Sequence, residues 1–259
     1  MRKLFIMVIG CIAACSGIAQ QKEVGYDEQL WFGYFNNTRF NERWGLWLDV
    51  QFRTKDHFVR DPFQFLVRPG LTYYINDRTR LTGGYAYFLH YPADNHPEIA
   101  RPEHRFWQQI QWQTVYRKIS TQQTFRFEQR FRQEVEAPDK LGSGYDFNYR
   151  MRANFQIQVP LSSKRFEQGD LSLVVGDEIM VNFGKQIVYN YFDQNRFLTG
   201  LRYYYQDRNS ILFGYQHIFV GLSQKSHYRV LHTLRLTLLH NLDLRKSERR
   251  SSDGNRNSS

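Results

Sequence analysis

The sequence predicts an all-β chain that folds as one antiparallel up-and-down β-barrel. From about residue 24 onward, apolar and polar side chains alternate with a period of two in segments of about 10 to 15 residues, each followed by a turn. Alternate side chains leave a strand on the same face, so this period is typical of strands. No segment sustains a 3.6-residue period, which argues against amphipathic helices. The 259 residues suffice for one large β domain.

The segment TFRFEQRFRQEVE (124–136) shows the alternation and raises a question about its surroundings. Its apolar face carries three phenylalanines and Val135, whereas its other face carries five charged residues in succession. An ordinary half-buried strand has milder polar residues on its wet face. We therefore expect one face to meet a large apolar environment and the other to meet groups that pair with charges.

Eleven segments have the character of strands. They are residues 28–37, 44–53, 63–75, 79–90, 103–117, 122–136, 145–159, 170–183, 194–206, 210–220 and 227–241. Single-chain bacterial outer-membrane barrels have even strand numbers, and two termini on the same side also require an even number. We therefore expect about 12 strands (10–12), either because residues 20–37 contain a further strand or because the region of 184–193 has been divided wrongly.

Connection lengths indicate a membrane barrel. Tight or short connections fall at 38–43, 76–78, 117–121 and 207–209, and longer ones fall at 54–62, 91–102, 137–144, 184–193 and 221–226. This alternation, with 160–170 as the exception, is typical of barrels with short periplasmic turns and longer extracellular loops. Aromatic residues, 17% of the chain, cluster beside both kinds of connection, as interfacial belts do. The competing interpretation is a secreted lipocalin-like barrel with its apolar face inside, but such barrels have eight strands.

The first residues have the pattern of a secretory signal peptide. Arg2 and Lys3 precede an apolar stretch, and small residues precede Gln20. We expect a signal peptide at 1–19, a transmembrane barrel at 20–242 and a disordered basic and polar tail at 243–259. Lipidation at Cys15 is the alternative to cleavage after Ala19. Cleavage would remove both cysteines of the chain, and with them any disulfide or thiolate site.

The formal charge of +10 does not indicate a nucleic-acid-binding protein. Basic residues are interleaved with acidic ones along the strands and do not form one patch or arm. Export also argues against a nucleic-acid partner.

In a lipid-embedded barrel the charged faces of neighbouring strands meet in the lumen. The predicted lumen-lining residues are Arg105, Arg126, Glu128, Arg130, Arg132, Glu134, Arg150 and Arg152. Two interpretations stay open. Either these groups pair into a salt-bridge core that fills the barrel, or the arginine excess lines a water-filled path that favours anions.

Three segments resemble an uncharacterised outer-membrane family, the domain-of-unknown-function family 2490. They are RPEHRFWQQIQW (101–112), YFDQNRFLTGLRYYY (191–205) and LWFGYFNNTRFNERWGLWLDVQFR (30–53). The resemblance covers nearly all of the chain after the signal peptide, and it implies a β-barrel of a Gram-negative outer membrane without a known activity. The matching positions are Arg101, Glu103, Arg105, Asp193, Asn195 and Arg196.

The same positions suggest a polar rim cluster. Arg101, Glu103 and Arg105 share one strand face at the end of a long loop, and Asp193, Asn195 and Arg196 begin a strand after another long loop. We expect these groups to lie together at the extracellular mouth, where they bind a solute or tie loops together.

The sequence offers little chemistry for catalysis. The best nucleophile candidates are Ser223 and Ser226 beside His227, but adjacent residues on a strand rarely form a catalytic geometry. His90, His96 and His104 flank a long loop, yet their spacing matches no metal signature. We expect no catalytic residues, no metal and no cofactor, with an outer-membrane lipid hydrolase as a distant alternative.

The functional expectation is a narrow channel or small-solute transport protein of a Gram-negative outer membrane. The alternative is a closed structural barrel whose outer loops bind lipopolysaccharide or partner proteins. The expected partners are outer-membrane lipid, lipopolysaccharide and, during insertion, the barrel-assembly machinery. The oligomeric state is not predicted.

Overall fold

A computed structural model describes residues 23–93, 96–162, 166–224 and 226–245. The predicted signal peptide (1–19) and residues 246–259 of the predicted tail lie outside the described residues. The described residues form eleven strands: β1 (Glu23–Arg39), β2 (Trp44–Lys55), β3 (Asp61–Tyr74), β4 (Thr79–His90), β5 (Arg101–Tyr116), β6 (Ile119–Ala137), β7 (Lys140–Pro160), β8 (Leu171–Phe183), β9 (Phe192–Gln206), β10 (Asn209–Gly221) and β11 (His227–Asp243).

The eleven strands make one closed barrel. Each strand pairs antiparallel with its neighbours in sequence, and β1 pairs with β11 in parallel from Glu23 with His227 to Arg39 with Asp243. The expectation of an even number, twelve, is therefore wrong for the described chain. Alternating strand directions around an odd ring leave the first and last strands pointing the same way, so one parallel pair closes it.

The connections divide the barrel into two ends. We call the end with 56–60, 91–100, 184–191 and 222–226 the long-loop end, and the end with the β1–β2, β3–β4, β5–β6 and β9–β10 turns the short-turn end. β1 starts at the long-loop end and β11 finishes at the short-turn end. The expectation of two termini on the same side is therefore not met by the described strands.

Two connections need separate description. Residues 137–144, expected as a long loop, belong mostly to an extended hairpin in which β6 and β7 are joined by residues 138 and 139. The pairing of β5 with β6 begins at Glu103 and Arg132. The part of the hairpin that follows Arg132 therefore extends beyond β5. The connection 161–170 is long and lies at the short-turn end, as the sequence predicted for 160–170.

The apolar faces of the strands point outward and most polar faces point inward. In β6, Phe125 is 50% exposed on the outer face, whereas Glu128 is 1% exposed inside. The same division holds for β2, where Leu46 is exposed and Asp49 is fully buried. This orientation is opposite to that of a lipocalin-like barrel, which keeps its apolar face inside.

The interior also holds apolar side chains, which the strand alternation did not predict. One cluster joins β2 to β5 through Trp47, Leu66, Ala86, Phe88 and Trp107. Two further clusters lie on the β8–β11 side. They consist of Trp31, Ile218 and Leu231 with Val220, and of Val174, Leu198 and Leu212 with Leu239. The interior is therefore divided into these apolar patches and a charged wall, which includes Glu128.

Candidate functional site

The barrel encloses a cavity of about 500 Å³ whose lining is dominated by arginine. Thirteen arginines line it: Arg53, Arg68, Arg80, Arg105, Arg126, Arg130, Arg132, Arg150, Arg152, Arg196, Arg202, Arg229 and Arg235. They come from eight of the strands, because period-two alternation brings the polar face of each strand to the same interior.

Fewer acidic side chains balance these arginines. Among the described residues, six acids line the cavity or contact its arginines: Asp27, Asp49, Glu103, Glu128, Glu178 and Asp193. Lys55 adds one more cation to the lining. The interior therefore has a clear excess of positive charge, which favours anions.

Glu128 on β6 is the most heavily contacted carboxylate. Its oxygens lie 2.6 Å from Arg150 Nη2, 3.1 Å from Arg152 Nη1 and 3.3 Å from Arg105 Nη1. Arg68 and Arg126 lie further away, at 3.7 and 3.8 Å. Because an ionised carboxylate has about four acceptor sites, one buried glutamate can satisfy donors from several strands.

Glu103 on β5 has a similar role closer to the long-loop end. Its carboxylate lies 2.8 Å from Arg105 Nε, 2.7 Å from Arg130 Nε and 3.4 Å from Arg132 Nε. His90 Nε2 lies 2.8 Å from the same carboxylate. Arg105 contacts both glutamates, so the two groups form one network.

The network continues towards β8 and β9. Arg130 Nη1 donates to Asn182 Oδ1 at 3.3 Å, and Asn182 Nδ2 donates to Asp193 Oδ1 at 3.0 Å. Arg150 Nη1 also donates to Asp193, at 2.9 Å. The charged wall therefore runs continuously from β4 to β9.

Arg53 and Arg235 have a different environment from the arginines of this wall. Both are register partners of Trp31, on β2 and β11 respectively. Arg53 lies 3.7 Å from the Trp31 ring centroid and donates to Gln51 and Gln64. Arg235 donates to Thr237 at 3.0 Å. Within the described part of the chain, neither forms a salt bridge with a carboxylate; Gln51, which accepts from Arg53, donates to Asp49 at 2.8 Å.

A second cavity of about 250 Å³ lies at the short-turn end. Its lining includes Tyr74, Ser120, Phe166 and Tyr204. Seven residues line both cavities: Asn37, Arg80, Gln111, Gln122, Gln156, Arg202 and Leu239. The two cavities therefore follow one another along the barrel, with a mostly neutral polar group of side chains between them.

The structure places most of the predicted lumen residues inside the barrel. Arg105, Arg126, Glu128, Arg130 and Arg150 are buried. Arg132 and Arg152 are partly buried and line the cavity. Glu134 is a correction, because it is exposed and lies beside Gly142 and Gly144 in the extended hairpin. Register shifts next to Gln133 and Val135 disturb the alternation there, so strand parity does not predict its position.

The predicted rim residues all belong to the ends of β5 and β9 at the long-loop end, but they do not form one cluster. Glu103 and Asp193 belong to the charged network. Arg101 instead pairs with Asp146 of β7 at 2.8 Å.

Asn195 and Arg196 are further corrections to the rim cluster. Asn195 lies on the outer face and donates to Asp177 at 2.9 Å, whereas Arg196 lies deeper, 5.1 Å from the Trp31 ring centroid. A register shift between Met180 and Val181 of β8 leaves Asp193 as an extra residue in β9. This irregularity places Asp193 inside, although it shares parity with Asn195.

The candidate catalytic and metal residues point in different directions. His90 faces the interior, His104 lies on the outer face 2.5 Å from the Tyr85 hydroxyl, and His96 lies in the loop 91–100. His227 Nε2 lies 2.8 Å from a Glu23 carboxylate oxygen. Within the described ranges, no group of three or more His, Cys, Asp or Glu residues could hold a metal ion.

His96 and Asp77 lie outside the strands and have shifted pKa values. Burial lowers the pKa of the His96 imidazole from its usual value of 6.5, and Arg101 acts in the same direction. The Arg39 guanidinium, which donates to Asp77 at 2.6 Å, holds the pKa of that carboxyl below its usual value. His96 is therefore a group whose protonation would disturb its loop, whereas Asp77 keeps its charge beside Arg39.

Several interior residues were not predicted from the sequence: Asp49, Arg53, Arg68, Trp31 and Arg235. A signal was present for most of them, since Asp49, Gln51 and Arg53 share the polar parity of β2. The interior position of Trp31 carried no such signal, because aromatic residues occur on both faces.

The architecture defines a class: a closed β-barrel with an apolar outer face and a charged, arginine-rich interior. The chain belongs to the family described as Protein of unknown function (DUF2490), whose model matches residues 28–229. Searches of curated proteins and of solved structures gave no match. Among the described residues, no helix is long and apolar enough to cross a membrane.

Proposed function

We propose that the chain is a Gram-negative outer-membrane β-barrel whose lumen is a narrow, anion-selective path for small solutes. The arginine excess around the interior cavity carries this proposal, because a ring of fixed cations lowers the energy of an anion in a confined space and raises that of a cation. Two cavities in series along the barrel give the path its length.

The outer face supports the membrane part of the proposal. Large apolar side chains such as Phe106, Phe155, Phe197 and Phe213 are between 44% and 56% exposed. Exposing many such groups to water is unfavourable, whereas lipid would cover them. A closed barrel also satisfies its backbone hydrogen bonds internally, as a membrane-spanning structure must.

Aromatic side chains near the two ends add to this support. Tyr116 and Tyr203 are exposed near the short-turn end, and Tyr145, Tyr189 and Tyr191 are exposed near the long-loop end. Such positions suit two interfacial belts. Tyr74 and Tyr204 also lie near the short-turn end, but they are buried and line the second cavity.

Planar-bilayer recording with unequal KCl concentrations across the membrane tests the channel. We expect discrete openings and a reversal potential that indicates anion selectivity. Arg235→Gln and Arg53→Gln should reduce this selectivity, since each removes a lumen charge that has no carboxylate partner in the described chain. Arg60→Gln is the matched control, because Arg60 is exposed and pairs with Asp56 outside the lumen. A barrel without conductance would contradict the proposal.

Cysteine labelling tests the location independently. In intact cells, a membrane-impermeant maleimide should label Val188→Cys in the long loop 184–191, and should label Lys118→Cys in the β5–β6 turn only after the outer membrane is permeabilised. Equal labelling of both in intact cells would contradict the proposed orientation.

A closed structural barrel is the second candidate, and the buried charge network favours it. Glu103 and Glu128 draw together arginines from four strands, and Trp47 and Trp107 fill space beside them. In that case the outer loops would bind lipopolysaccharide or proteins. A silent barrel that still migrates as a folded species without heating is the result expected for this candidate.

A further inference from the structure

We propose that the interior cavity binds a single-chain amphiphile with an anionic head, of which a long-chain fatty acid is the simplest form. The inference rests on the proposed function only in taking the lumen as the place where solutes bind. The head would bind between Arg53 and Arg235 beside Trp31, and the chain would lie along the apolar wall formed by β8–β11.

The head site is defined by a row of register partners. Arg53 on β2, Trp31 on β1 and Arg235 on β11 lie side by side, with Trp31 between the two arginines. Neighbouring strands are about 4.8 Å apart, so the two arginine backbones are separated by roughly 10 Å. Two planar guanidinium groups at this spacing can both reach one carboxylate, which they bind in a bidentate manner.

The hydrogen bonds of this pair leave donors for a ligand. Arg53 donates to Gln51 and Gln64, and Arg235 donates to Thr237. These partners are neutral, and a guanidinium carries five N–H donors. Arg196, which also lies over Trp31, is partly committed to Glu178 at 3.6 Å and adds a third positive charge.

Buried polar atoms without partners lie next to this row. Gln216 Oε1 and Thr233 Oγ1 have no hydrogen-bond partner among the described residues, and Thr233 is fully buried. The two residues are register partners, and Thr233 precedes Arg235 by two positions on the same interior face. Buried polar groups are normally satisfied, and the Thr233 hydroxyl can donate to an anionic head bound here. Gln216 Oε1 only accepts, so a carboxylate would not satisfy it and a donor such as water would have to do so.

The wall beside the head site is apolar. Ile218 and Leu231 pack with Trp31 and Val220, and a second cluster of Val174, Leu198 and Leu212 lies further towards the short-turn end. All of these residues line the same cavity as the arginines. A solute that is only a small anion would leave this wall wet, whereas an alkyl chain would cover it.

The cavity has a suitable size for such a ligand. Its volume of about 500 Å³ lies within the roughly 300–1,000 Å³ that is usual for small-molecule sites.

Native mass spectrometry of the folded barrel from a non-ionic detergent tests the inference. Palmitate should bind with one molecule per chain. Hexadecanol and methyl palmitate, which keep the chain without the charge, should bind at least about tenfold more weakly, as should inorganic phosphate, which has the charge without the chain. Equal binding of methyl palmitate or of phosphate would overturn the inference, and this comparison uses the unmodified protein.

Variants locate the site. Arg53→Gln and Arg235→Gln should each weaken palmitate binding by about tenfold. Arg202→Gln is the matched control, because it removes one lumen charge whose partners Gln158 and Ser210 lie elsewhere. Unchanged palmitate binding in both test variants would overturn the assignment of the head site.

The outcome is separable from that of the proposed function. Anion-selective conductance without palmitate binding would leave the channel and remove this ligand. Palmitate binding to a barrel without conductance would support this inference and contradict the channel.

Discussion

Trp47 and Trp107 meet inside the barrel with their ring centroids 5.0 Å apart and their planes at 62°. They come from β2 and β5, which are separated by β3 and β4. Those two strands carry Gly70 and Gly84 in register with the two tryptophans. Because glycine has no side chain, the two indoles can reach across β3 and β4 and touch. Arg68 and Arg126 lie over both rings, which connects the aromatic pair to the charged wall.

Gly70→Ala should destabilise the barrel. A Cβ at Gly70 would lie 2.7 Å from Trp107 Cζ2 and 2.8 Å from Cη2, so the indole must move. We expect a loss of about 1–3 kcal/mol in the free energy of unfolding, measured by urea titration in detergent, together with a change in tryptophan fluorescence. Gly83→Ala is the control, since its nearest contact is Trp107 O at 3.7 Å and it should be tolerated. Equal stability of the two variants would contradict this account of the indole pair.

Glu128→Gln should be among the most destabilising single changes. It removes the charge that five arginines approach within 4 Å and leaves their guanidinium groups to repel one another. Breaking a buried ion pair from one side costs about 3–5 kcal/mol. Glu136→Gln is the matched control, because Glu136 is exposed in the hairpin and pairs only with Lys140 among the described residues. The urea midpoints of the two variants give the comparison, and a small shift for Glu128→Gln would show that its arginines are satisfied without it.

The loop 91–100 should lose order as the pH falls. The folded pKa of His96 is below the unfolded value of 6.5, so the folded loop binds fewer protons than the open loop. Its contribution to stability is therefore complete above pH 6.5 and is lost as the pH falls through the folded pKa. Protonation would add a charge to a buried ring whose Nδ1 lies 2.8 Å from Ile99 O, near Arg101.

Hydrogen exchange of this loop, corrected for the intrinsic pH dependence, measures that effect. Exchange should become faster on lowering the pH in the native chain. In His96→Gln, which cannot titrate, the corrected rate should not depend on pH in this range. The same acid response in both proteins would assign the effect to another group.

The parallel closure can be tested by cross-linking. Leu30 of β1 and Leu234 of β11 are register partners, and partner Cα atoms on neighbouring strands lie about 4.8 Å apart, within the range of a disulfide. In the chain from residue 20 onward, Leu30→Cys with Leu234→Cys should form a disulfide on mild oxidation. Leu30→Cys with Leu238→Cys is the control, because four residues displace the second cysteine by about 13 Å. A disulfide in the control alone would mean a different register.

Much of the fold could be predicted because strand alternation is a local property. Each of the eleven expected segments corresponds to one strand, with ends that differ by a few residues. The hairpin at 137–144 was missed because Gly142 and Gly144 interrupt the alternation, although the backbone there continues to pair. The even strand number was wrong because it came from a general tendency of barrels, and the closing pair of strands leaves no mark in either strand alone.

The candidate site was predictable only in part. The charged face of β6 showed that several arginines would need partners, and Glu128 was among the residues expected inside. Asp193 and Asn195 show the limit, because a register irregularity at Asp193 sends two residues of equal parity to opposite faces. Parity cannot reveal such an irregularity, since it depends on the pairing with β8.

The sequence by itself determined the strands, the two faces of each strand and the accumulation of arginine on one of them. These follow from side-chain order along the chain, which the period of a strand converts directly into faces. The tertiary structure alone decided the ring of eleven strands, the arginines that share Glu103 or Glu128, and the position of Arg53 and Arg235 on either side of Trp31. These relationships depend on which strands become neighbours and in which register, because contacts across a closed sheet join residues as far apart in the chain as Glu23 and His227.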